Sequence, residues 1–169
     1  MHNMKRSDVD YLYEWASRTD FPLRRAPTAV GYSNKDIHFC WLKAVYRNGA
    51  IGGVRKSVVA DEKAQEILDQ EEVIFATVSV FDAGTKLNPH KDPPVYGKKY
   101  RRIQIPLYIP SDKCYMVWQG KKVLWKEGEP QVYDVMDHVH EGYNLSDDIM
   151  MFLFVDIEKR DDNSNLQEV

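Results

Sequence analysis

Cysteine is scarce. The 169 residues hold two, Cys40 and Cys114, 74 positions apart and outside any CxxC spacing, which excludes a zinc ribbon or a thioredoxin-like redox pair and leaves two buried free thiols. Long apolar runs are missing as well. Nowhere do roughly eighteen uncharged apolar residues follow one another, as a membrane helix needs, and the opening MHNMKRSDVDYLYEW lacks the apolar stretch of a secretory leader. No membrane partner is expected, and a cytoplasmic setting follows. A dominant charge is also lacking, with 23 Lys and Arg against 26 Asp and Glu and a net charge of −3. Lys98, Lys99, Arg101 and Arg102 cluster, but four cations make a weak nucleic-acid footprint, so no polyanion partner is expected. Internal repeats are absent.

What is there is ordinary globular material: 43% hydrophobic and 29% charged residues, far from the composition of disorder. The length suits one domain, which we place at 1–160, with a helical part over 1–72, a β core over 73–157 and a flexible tail over 161–169. Val9, Leu12, Tyr13 and Trp15 suit a helix between Ser7 and Arg18, with Ser7 as N-cap. Pro22 and Pro27 force an extended connection. The bulky run IHFCWLKAVYR, 37–47, reads as a further helix, although periodicity alone allows a strand. Asp61 to Gln70 carries strong helix formers behind an aspartate. From Val73 the character changes: VIFATVSVF, RIQIPLYIP, CYMVW, PQVYDV and IMMFLFVDI are short β-branched and aromatic runs between turn residues. The expected fold is mainly β, a double-stranded β-helix or jelly roll of cupin-like type, with N-terminal helices packed outside.

The chemistry gathers in two places. His90 and Asp92 stand two apart where a strand meets a proline-rich loop, so on extended backbone they face the same side. A second histidine from a distant strand would complete a two-histidine, one-carboxylate facial triad with open positions for dioxygen. DHVHEGYN supplies that histidine twice, as His138 and His140, and spacing does not choose between them.

The segments GTKLNPHKDPP, RRIQIPLYIP, WKEGEPQVYD, HEGYN and FLFVDI, in that order, resemble the aspartyl/asparaginyl β-hydroxylase family over roughly residues 73 to 157. The resemblance implies a double-stranded β-helix in which iron(II) is bound by these two motifs. It also implies hydroxylation of an amino-acid or peptidyl side chain by dioxygen, coupled to oxidative decarboxylation of 2-oxoglutarate to succinate. Matching HEGYN to the family segment selects His140 as the distal ligand, so the implied metal and catalytic set is His90, Asp92 and His140. Some members carry glycine where Asp92 stands. The same matching places Ser79, Arg102 and Gln104 in the cosubstrate pocket. The implied partner is a free amino acid or a peptide.

One departure stands out. Ten residues after the distal histidine the family usually carries an arginine that anchors the far carboxylate of 2-oxoglutarate; here Met150 stands. Leaving that carboxylate buried and unpartnered costs on the order of 2 to 5 kcal/mol. Arg102 is the expected substitute. Val78, Val80, Ile103, Ile105, Met151 and Leu153 are expected to form the apolar wall of the pocket, and Trp41, Tyr96, Trp118 and Tyr143 its entrance. Met150 and the histidine pair motivate one rival, a cupin-like metal enzyme that does not use 2-oxoglutarate; a second is a catalytically silent jelly-roll binding module.

Overall fold

The computed structural model describes residues 4–26, 31–45, 51–94 and 97–160. Helix α1 (Arg6–Ser17) is entered from Lys5 rather than from Ser7. Asp8, in its first turn, accepts from the Lys5 amide at 3.1 Å, so the carboxylate and not the serine hydroxyl satisfies a free donor at this end. Val9, Leu12, Trp15 and Ala16 are buried. Helix α2 (Glu62–Leu68) starts as its sequence suggests, with the Asp61 side chain accepting from the Ala64 amide.

Three strands share the N-terminal region with the helices: β1 (Arg24–Ala26), β2 (Ile37–Val45) and β3 (Ile51–Val54). The expectation of a helical part over 1–72 without strands, and of a helix over 37–47, is therefore corrected. In β2, Cys40 and Leu42 are buried while Trp41 between them is 46% exposed, which is strand alternation hidden by bulky residues on both faces. A register shift between Trp41 and Lys43 against the neighbouring strand then lets Lys43 be buried too. Its Nζ donates to the carbonyls of Leu68 and Gln70 at 2.6 and 3.1 Å, closing the C-terminal end of α2.

The remaining strands are β4 (Val73–Phe81), β5 (Lys86–His90), β6 (Tyr100–Tyr108), β7 (Cys114–Trp118), β8 (Lys121–Leu124), β9 (Gln131–Tyr133), β10 (His140–Asn144) and β11 (Met150–Glu158). The larger sheet runs β1-β2-β4-β11-β6-β9, with β3 also on β2; the smaller runs β5-β10-β7-β8. All pairings are antiparallel. This is a jelly roll of two facing sheets that stay separate, with the helices outside.

The two faces of the larger sheet have different jobs. Val78, Ile103, Ile105, Leu153, Val155 and Ile157 pack with Leu12, Trp15 and Leu68 of the helices. Thr77, Ser79, Phe81, Arg102, Gln104, Met150, Phe152 and Phe154, of opposite parity, face the space between the sheets. The expected pocket wall is thus off by one residue: Val78, Ile103, Ile105, Met151 and Leu153 belong to the helix-facing core, and Val80 is buried away from the cavity lining.

At the far end, Asn144 fastens the sheets together. Its Nδ2 donates to the carbonyls of Phe81, Asp82 and Asp148, and its Oδ1 accepts from the Ser146 amide and hydroxyl. No helix among the described residues is long and apolar enough to cross a membrane.

Candidate metal centre

His90 closes β5 and His140 opens β10, and the two strands are paired with these residues opposite one another. Antiparallel neighbours bring their rings to 4.4 Å between centroids. Asp92 lies two residues beyond the strand end, on a loop fixed by its own backbone: its amide donates to the Val135 carbonyl at 2.9 Å. Tyr100 holds the next residue, donating through Oη to the Pro93 carbonyl. The prolines favour extended backbone, so the carboxylate stays on the side of the imidazoles.

The ligating atoms of His90, Asp92 and His140 lie within 4.8 Å of one another. Nδ1 of His90 is 2.6 Å from the Asn88 carbonyl, and Nδ1 of His140 is 3.0 Å from the His138 carbonyl. A carbonyl only accepts, so each Nδ1 carries the proton, and in the neutral ring each Nε2 presents a lone pair. Both Nε2 atoms point at Asp92 Oδ1, 3.2 Å from each. That oxygen is buried and makes no hydrogen bond of good geometry. Two nitrogen lone pairs and a carboxylate oxygen converging without a shared proton is an arrangement that a divalent cation resolves.

The other Asp92 oxygen is spoken for. Arg102 donates to Oδ2 through Nη1 at 2.8 Å, and through Nε and Nη2 to the two oxygens of Asp156 at 2.9 and 3.1 Å. Burial opposes ionisation of Asp92, while the Arg102 guanidinium on Oδ2 favours it, and the carboxyl is held well below the usual carboxylate range. Asp156 is pushed the other way by burial, with Arg102 opposing. The guanidinium stacks on Phe154, 4.8 Å from its centroid.

His138 turns away. Its Nδ1 pairs with the Gln119 amide at 2.9 Å and its ring meets Trp118 edge-on, while its backbone carbonyl orients His140. Tyr32 was not legible as a site residue. Its ring lies flat on His90 with centroids 3.6 Å apart and planes 3° apart, and burial pushes its hydroxyl pKa up to about 12. Asp156 was missed too, although an aspartate inside the apolar run FLFVDI announces a buried partner.

The triad opens onto a cavity of about 170 Å³. Ser79, Arg102 and Gln104 all line it. Gln104 Oε1 accepts from the Trp125 indole at 3.1 Å, and Ser79 makes no side-chain hydrogen bond with a described residue. Of the aromatics expected at an entrance, Trp41 sits by Phe39 and Phe75, Trp118 by Tyr133 and the histidines, and Tyr143 by Tyr115; Tyr96 lies outside the described residues. The aromatics that do line the cavity are Tyr32, Phe81, Trp125, Phe152 and Phe154.

Comparison with known proteins agrees with this geometry. The family model for aspartyl/asparaginyl beta-hydroxylase matches residues 54–160. Among solved structures, an oxidoreductase of the 2OG-Fe(II) oxygenase family from Burkholderia pseudomallei superposes with a TM-score of 0.61 at 10% identity, covering 92% of each chain. A predicted oxalate decarboxylase from Thermotoga maritima gives 0.51 at 13% identity, covering 83% of this chain and 95% of that one. At such identities the likeness speaks for the fold. No curated protein matches the chain in sequence. With the match running from the end of β3 through β11, and with His90, Asp92 and His140 all inside it, the chain belongs to the aspartyl/asparaginyl β-hydroxylase family.

Proposed function

We propose that this chain is a non-haem iron(II) oxygenase that hydroxylates an amino-acid or peptidyl side chain, with dioxygen as oxidant and a 2-oxo acid as co-reductant. The observation that carries the reading is the meeting of the His90 and His140 Nε2 lone pairs with the unpartnered Asp92 Oδ1 at the mouth of a cavity. Two nitrogens and one carboxylate oxygen suit iron(II) and leave coordination positions for other ligands.

Iron, when bound, supplies the redox chemistry and the site where the 2-oxo acid and dioxygen meet. In the overall reaction one oxygen atom enters the substrate C–H bond and the other enters the acid, which loses carbon dioxide and becomes one carbon shorter. The chain's own residues do the rest. The carbonyls of Asn88 and His138 fix both imidazole tautomers, and Arg102 holds Asp92 ionised and aimed. Phe152, Phe154 and Trp125 keep the cavity apolar and exclude water.

2-Oxoglutarate itself fits in part. Its chelating end needs only open positions on the metal, but its far carboxylate needs a cation, and Arg102, the expected substitute, is committed to Asp92 and Asp156. That commitment favours a second reading, a metal enzyme of this fold that uses no 2-oxo acid. Oxygen uptake with iron(II), a panel of 2-oxo acids and amino-acid or peptide pools tests the first reading. Uptake matched by release of the shortened acid supports it; iron binding without 2-oxo acid turnover favours the second.

A further inference from the structure

The cavity has a polar end and a hydrocarbon end. The polar end is the triad with Arg102 and Asp156. From there the cavity-facing residues of β11 read Phe154, Phe152 and Met150, and Met150 pairs with Phe81 of β4. Strand β10 spans the same distance, from His140 to Asn144, whose side chain bonds to the Phe81 carbonyl.

That end holds no charge complementary to an acid. Phe81, Met150 and Phe152 form one buried cluster, with Ile37, Leu87 and Trp125 packed against it. The indole N–H is used on Gln104 and the Thr77 hydroxyl on the Cys40 and Val78 carbonyls. Ser79 offers a hydroxyl. Arg102 is the one cation among the described lining residues; three of its five N–H donors go to Asp92 and Asp156, whose two carboxylates already offset its charge. Glu141 adds a carboxylate to the lining. A second carboxylate entering this space would lose its water and meet no unmatched cation, only neutral donors such as the Ser79 hydroxyl.

Resting on the oxygenase reading above, we infer that the co-reductant is a monocarboxylic 2-oxo acid with a branched or aromatic hydrocarbon tail, its carboxylate end at the metal and its tail among Phe81, Met150 and Phe152. The cavity of about 170 Å³ is below the range of drug-sized ligand sites and suits a small acid.

The test is anaerobic titration of the iron(II)-loaded protein with 2-oxo-4-methylpentanoate, phenylpyruvate and 2-oxoglutarate. Binding is read by the visible metal-to-ligand charge-transfer band and, independently, by calorimetry. At least one hydrocarbon-tailed acid is expected to bind about tenfold or more tighter than 2-oxoglutarate, and Met150→Arg is expected to reverse that order. The wild-type comparison decides the matter alone if Met150→Arg does not fold. Equal or tighter binding of 2-oxoglutarate by the wild type overturns the inference and leaves the oxygenase reading standing. Iron binding with no response to any 2-oxo acid overturns both.

Discussion

Tyr32 lies flat against His90, ring on ring, with centroids 3.6 Å apart. Tyr32 holds the face of the imidazole while the Asn88 carbonyl holds its Nδ1 edge, so the ring is oriented by stacking as well as by hydrogen bonding. Partners of this kind change metal affinity by about 10–100-fold in other sites. Tyr32→Ala is expected to weaken iron(II) binding by about tenfold, and Tyr32→Phe to leave it within about twofold. Titration with iron(II) under anaerobic conditions checks both, and equal losses in the two variants would point to the hydroxyl instead.

The two histidines of DHVHEGYN have different duties. His140→Ala removes one of three converging ligand atoms and is expected to reduce iron(II) affinity by more than about 100-fold. His138→Ala keeps the backbone carbonyl that orients His140 and should cost less than about threefold. Metal content after dialysis against iron(II) distinguishes the variants; the opposite order would reassign the ligand.

Among the described residues, Arg102 is the one side chain that pairs with Asp156, and it also pairs with Asp92. Arg102→Met leaves both carboxylates buried beside no cation, and an uncompensated buried charge of this type costs about 3–5 kcal/mol. Arg102→Lys should recover little, since an ammonium cannot reproduce the fork that spans two carboxylates. Urea unfolding of the metal-free proteins measures the loss, and a change below about 1 kcal/mol contradicts the pairing described.

Lys43 gives stability a pH dependence. Burial lowers its pKa from 10.5 to about 8, with Asp69 opposing. Between these values the unfolded chain binds the proton and the folded one does not, so stability rises with pH across the window. Below about pH 8 both states are protonated and the term is flat. Relative to Lys43→Met, the wild type should gain stability from pH 8 to 10, at no more than about 1.4 kcal/mol per pH unit. Parallel pH-dependent profiles for the two proteins would show that Lys43 is titrating normally.

The sequence exposed the metal centre well and the scaffold around it unevenly. His90, Asp92 and His140 were legible because ligand spacing on extended backbone is a local property, and the structure brings these three together. The runs that became β4, β6, β7, β9 and β11 were legible for the same reason. Strand β2 was not, because Phe39 and Trp41 on one face are as bulky as Cys40 and Leu42 on the other, and pairing with β4, a distant event, decides its state. Strands β5 and β8 carry too few apolar residues to announce themselves; the pairing of β5 with β10 supplies what their side chains lack. The cavity wall was misassigned by one position, since alternation alone does not say which face meets the helices. Arg102 does line the cavity, but its partner Asp156 lies 54 positions on, a relation that only strand register reveals.

Strand β11 sends Leu153, Val155 and Ile157 outward to the helices and Met150, Phe152 and Phe154 inward to the cavity. Selection can therefore revise what the cavity accepts by editing every second residue of one strand while the intervening ones keep the fold intact. Exchanges such as methionine for arginine at the first inward position become cheap evolutionary steps, and relatives sharing one architecture and one metal can diverge in the acid they consume.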